Sequence, residues 1–159
     1  MPCKNLTESL RLVLDDHEQL LDYKLVKQSC GAAIGGESLL LDYFKGRPFG
    51  DILAMNSERF CQMYTVDKRL QFLFLKHFIA LSALLRVYTG HEAGGVKDFC
   101  TIADIASDNG RISIEAQIAV DAVTEEIKSC GHCGGCGHQN ESGNGHKLKR
   151  TDKSRKETE

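Results

Sequence analysis

Between Leu10 and Lys27 apolar residues recur at every second position, and no other stretch of the chain limits its fold so strongly. Leu10, Leu12 and Leu14 are separated by Arg11 and Val13, and Leu21, Tyr23 and Leu25 by Asp22 and Lys24. A period of two is that of a strand, because successive side chains point to opposite faces. The polar run Asp15-Asp16-His17-Glu18-Gln19 lies between the two halves and supplies a turn. Residues 10–27 therefore read as a β-hairpin with one apolar and one charged face, part of a sheet covered on one side.

Beyond this hairpin the period changes. Small residues from Ser29 to Gly36 form a turn, and Glu37 to Phe44 reads as a short helix stopped by Gly46. Pro48 suits the first turn of a helix reaching about Met55, and Ser57 to Met63 follows as another. From Asp67 to about Tyr88, Leu70, Phe74, Phe78, Leu81 and Leu85 recur at spacings of three and four. That predicts a long helix ended by Gly90, and its nearly all-round apolar content from Phe72 to Leu85 predicts burial on more than one side. Further on, Asp108-Asn109-Gly110 reads as a turn, Phe99 to Ala106 as a short helical stretch, and Ser113 to Lys128 as an amphipathic helix. After Ser129 a Cys/Gly/His run leads into a charged tail whose composition cannot build a core and is expected to be disordered.

The fold expected is α+β, a small antiparallel sheet packed against helices. The expected organisation is a domain over 1–90, a helical extension over 91–128, and a cysteine-rich motif with a disordered tail over 129–159. The formal net charge of −2 argues against an electrostatically driven nucleic-acid binder. Charged residues interrupt both the N-terminus and the apolar stretch from Leu70 to Val87, so neither a secretory signal nor a membrane span is expected. The expected location is cytoplasmic. There, seven cysteines point to metal or redox chemistry rather than to disulfides.

The most specific block is Leu25-Val26-Lys27-Gln28-Ser29-Cys30-Gly31-Ala32-Ala33-Ile34, followed by Lys45-Gly46, Asp51-Ile52-Leu53 and Asn56. A strand running into a cysteine among small residues, then a helix closed by Lys-Gly, resembles the U-type iron–sulfur cluster assembly scaffolds (the NifU/IscU kind). The preceding hairpin fits as well, and Cys3 precedes Cys30 at nearly the family's spacing; the resemblance covers roughly residues 1–90. It implies a scaffold that binds iron or an iron–sulfur cluster, not an enzyme. Its expected cofactor-binding residues are Cys3, Cys30 and His77, its sulfur donor a cysteine desulfurase, and its acceptors apo iron–sulfur proteins. Two positions depart from the family pattern. Asn5 stands where an Asp is usual, and the family's His-Cys pair becomes His77-Phe78, a phenyl ring in place of a thiolate.

The residues support part of this independently. Iron in a cluster prefers soft thiolates. A cysteine in a glycine-flanked turn before a helix gains from the helix dipole, which favours the thiolate. Cys30 fits that description, and equally a small buried residue at a tight turn. His77 on an apolar helix reads as a ligand or as a satisfied core histidine. Cys61 and Cys100 read as core.

A second metal signal stands alone. In Cys130-Gly131-His132-Cys133-Gly134-Gly135-Cys136-Gly137-His138, two Cys-x-x-Cys steps let three thiolates converge on one centre. Cys130, Cys133 and Cys136 with His138 or His132 would complete a tetrahedral zinc site. The three thiolates with an open position suit transferable iron. Two functions remain open: a binding and delivery protein for iron or iron–sulfur clusters, or a cluster-incompetent interaction module with structural zinc in its tail.

Overall fold

A computed structural model describes residues 7–29, 32–34, 38–64, 67–94 and 99–129. The alternating hairpin forms as expected: β1 (Thr7–Leu14) pairs antiparallel with β2 (Leu20–Ser29). Its turn is held by Asp15, whose Oδ1 accepts from the backbone N–H of His17 (2.9 Å) and Gln19 (2.8 Å). β3 (Ala32–Ile34) adds to the outer edge of β2 where the sequence predicts a turn opening a helix; the first helix among the described residues starts only at Leu41, so no helix dipole follows directly on position 30. Four helices follow: α1 (Leu41–Phe44), α2 (Phe49–Leu53), α3 (Ser57–Met63) and α4 (Lys68–Tyr88). Asn56 caps α3, its side chain accepting from the Arg59 N–H at 2.8 Å.

Two helical expectations are corrected here. Residues from Cys100 to Asp108 form strand β4, and those from Arg111 to Ala119 form strand β5, so only α5 (Val120–Ser129) remains of the anticipated helical extension. Ile114 and Ile118 satisfy both a period of four and a period of two, and that coincidence misleads. The residues between them decide the matter: Ile112, Ile114, Ala116 and Ile118 alternate with Ser113, Glu115 and Gln117. Asn109 (φ 49°) and Gly110 (φ 74°) both take left-handed conformations, the backbone of a tight two-residue hairpin turn.

The five strands run in the order β3-β2-β1-β5-β4, every neighbouring pair antiparallel. β5 pairs with β1 along the whole length of β1, so residues on either side of position 90 share one sheet. Register aligns Leu25, Leu10, Ala116 and Ile102 in one row across the sheet, and Tyr23, Leu12, Ile114 and Ile105 in the next. Leu10, Leu12, Leu14, Tyr23, Leu25, Ile114, Ala116 and Ile118 are buried. The other face is polar: Arg11 there lies 3.9 Å from Glu115 and 3.4 Å from the Ser113 hydroxyl.

α4 is the core helix. Leu75, Phe78, Leu81, Leu84 and Leu85 are buried on it, and it contacts α2, α3, α5 and β4. Among the described residues it is also the one helix long and apolar enough to cross a membrane, over Leu70–Tyr88, with half of that stretch buried in protein. Its C-terminus closes in a Schellman arrangement. Gly90 (φ 75°) lets its own N–H reach the Val87 carbonyl (3.1 Å) and the His91 N–H reach that of Arg86 (2.8 Å). A Cβ at Gly90 would meet no atom within 4 Å, so Gly90→Ala tests backbone strain alone. It is expected to cost about 1–2 kcal/mol in urea unfolding.

Candidate functional site

The two strands leading to Cys3 and Cys30 are hydrogen-bonded neighbours. Glu8, near the start of β1, lies opposite Lys27, near the end of β2. The start of β1 and the end of β2 lie at the same end of the sheet, where β5 also passes into α5. Thr7 is four positions after Cys3, a reach of at most about 14 Å. α5 ends at Ser129, the residue before Cys130. Cys3, Cys30, Cys130, Cys133, Cys136 and His138 themselves lie outside the described residues.

His77 is described, and it is buried. Its Nδ1 lies 3.0 Å from the Tyr23 hydroxyl, and that hydroxyl also accepts the Leu40 N–H at 2.7 Å. The two rings meet edge to face, with centroids 5.8 Å apart. A phenol has one proton to donate, and the Leu40 contact uses it as an acceptor. The arrangement that satisfies every group has Tyr23 donating to Nδ1, which assigns the ring proton of His77 to Nε2. Binding a metal through Nε2 would require that proton to move to Nδ1, and the Tyr23 hydroxyl proton would then need another acceptor. Burial, with the Lys76 charge adding to it, lowers the His77 pKa to about 4. Burial likewise raises the Tyr23 phenol above its ordinary value, opposed by the hydrogen bond from Leu40. This chemistry suits a neutral strut fastening α4 to β2 and to the turn before α1.

Phe78 points into an aromatic cluster. Its ring stacks on Phe60 at 4.6 Å and 13°, and lies 6.4 Å from Phe44. Where the resemblance expects a thiolate, α4 therefore contributes packing. Cys100 is fully buried on β4, with a thiol pushed up to about 12 by burial and then by the Glu92 charge. A thiol so protonated is a poor metal ligand. Its expected place in the core is found, on a strand rather than a helix. Cys61, half-buried on α3, packs against the core. Among the described residues no group of three or more His, Cys, Asp and Glu side chains is placed to hold a metal.

One polar pair was not foreseen from sequence. Glu8 is buried at the inner face of β1 and bonds Lys76 of α4, while its second oxygen has no partner among the described residues. The signal was present: Glu8 continues the inward series of Leu10, Leu12 and Leu14 by one step of two. A carboxylate there needs a cation, and Lys76 supplies it one position before His77.

No protein-family model matches this chain, and no curated protein or solved structure matches it either.

Proposed function

We propose that this chain binds iron or an iron–sulfur cluster as cargo and passes it to apo iron–sulfur proteins. In this reading a cysteine desulfurase supplies the sulfur, in a reducing cytoplasmic compartment. The observation that carries the reading is the Cys130-x-x-Cys133-x-x-Cys136 run placed directly after α5. Three thiolates at that spacing, separated by glycines, can close on one soft metal centre. The pairing of β1 with β2 adds support, since it brings the attachment points of Cys3 and Cys30 to one end of the sheet. His77 and Phe78 are both engaged in the core, which favours ligands drawn from the cysteines rather than from α4.

Phe78 also favours a second reading. A scaffold-like domain that has replaced a thiolate by a packed ring could serve as an interaction module, with zinc held by Cys130, Cys133, Cys136 and His138.

Metal content separates the two. The full-length protein, purified without oxygen, is expected to carry iron and sulfide together and to absorb in the visible. Cys133→Ser is expected to lose most of that iron, and Cys30→Ser to lose it if the domain shares the cargo. Zinc in place of iron, unaffected by Cys30→Ser, would reject the delivery function in favour of the zinc-bearing module.

A further inference from the structure

A groove of about 280 Å³ lies beside the C-terminal half of α4, at the junction of α2 and α3. Met55, Phe78, Ile79 and Ala83 give it an apolar lining, and Arg86 and Glu92 are its charged groups. The helix builds one wall from positions four apart, so Phe78, Ser82 and Arg86 follow one another along it.

The charged pair is set by backbone rather than by two long side chains meeting. The closing turn of α4 brings the N–H groups of His91 and Glu92 to the Arg86 carbonyl, at 2.8 and 3.2 Å. That fixes Glu92 beside Arg86, and Arg86 Nη1 donates to Glu92 Oε1 at 3.2 Å. Both side chains remain nearly half exposed. The contact uses one guanidinium N–H and one carboxylate oxygen, leaving further donors and a further acceptor side by side at an apolar groove.

Such a pair discriminates by charge. A lone anion drawn to Arg86 meets the Glu92 carboxylate, and a lone cation drawn to Glu92 meets the guanidinium. A ligand carrying both charges satisfies both groups, and its cation also faces the negative end of the α4 dipole. The groove's size, at the small end for ligand sites, suits a molecule of about ten heavy atoms. We propose that the groove binds a zwitterionic α-amino acid with an apolar side chain. Its carboxylate sits on Arg86, its ammonium on Glu92, and its side chain against the apolar edges that Met55, Ile79 and Ala83 present to the groove. This inference is independent of the metal-cargo reading.

The test is a titration of the full-length, ¹⁵N-labelled protein with L-phenylalanine, L-methionine and L-leucine. The controls are 3-phenylpropionate, which lacks the ammonium, and 2-phenylethylamine, which lacks the carboxylate. At least one amino acid is expected to give saturable shifts at the amides of Ile79, Ala83 and Arg86, with both controls binding more weakly than L-phenylalanine. Arg86→Gln and Glu92→Gln change exposed groups, so Tm should hold while affinity falls about fivefold in each. Absence of saturable shifts with all three amino acids would overturn the proposal. So would equal affinity for 3-phenylpropionate and L-phenylalanine, or unchanged affinity in Arg86→Gln.

Discussion

Replacing Phe78 by alanine is expected to remove about 3–5 kcal/mol of folding stability, a large share of what a domain of this size has. The ring is almost wholly buried and stacks on Phe60, with Phe44 and Tyr64 completing the cluster. These residues come from α1, α3, α4 and the end of α3, so one truncation loosens the seams between three helices. Phe60→Ala should cost a similar amount. The double variant should cost less than the two singles together, because each single change already breaks the shared stack. Urea unfolding of the four proteins measures this directly. Additive costs would mean that the rings contribute only independent burial.

That result bears on the sequence-based expectation of a thiolate at position 78. A thiolate at position 78 would need solvent or metal to stay charged. A phenyl ring there needs the opposite, a dry pocket lined by other rings. The aromatic residues supplying that pocket are dispersed through the sequence as Phe44, Phe60 and Tyr64, so the ring of Phe78 is part of a core-wide arrangement.

The legible parts of the fold are those where one period acts alone. Leu10 to Leu25 alternate without a competing reading, and Ser57 to Met63 and Lys68 to Tyr88 carry helical spacing with clear stops. The turn at Asp108-Asn109-Gly110 reads correctly, but residues 99–106 and 113–119 read as helix because Ile114 and Ile118 serve both periods, and because β4 is an edge strand whose second half is exposed, so burial leaves little pattern in it. What places β5 in the sheet is its pairing with β1, about a hundred residues away in sequence. Local spacing marks residues 111–119 as a strand but cannot name its neighbour in the sheet. The site divides in the same way. The cysteine run needs only local sequence to be seen. The partner of His77 is Tyr23, 54 positions earlier, and only the register of β2 against α4 reveals it. Lys76 was likewise an ordinary helix-surface cation until β1 placed Glu8 beneath it.

Acid is expected to destabilise the protein through His77, over a window set by its own chemistry. In the folded chain its pKa is lowered to about 4, whereas in the unfolded chain it returns to the ordinary 6.5. Above pH 6.5 the ring is neutral in both states and the core keeps its full stability. As the pH falls from 6.5 towards 4, the unfolded chain takes up a proton that the folded chain refuses, so stability drops. Below pH 4 both states are protonated and this loss stops growing. The total is about 3 kcal/mol, at 1.36 kcal/mol for each unit between the two values. His77→Gln supplies an amide oxygen that can still accept from Tyr23, with no proton to gain. It should be less stable at pH 7.5, where imidazole packs better, and should lose less stability by pH 4.5 than the native chain does. Urea midpoints for both proteins across that range decide the matter. Parallel curves would place the acid sensitivity elsewhere, and converging curves would identify the Tyr23–His77 strut as the group that acid attacks.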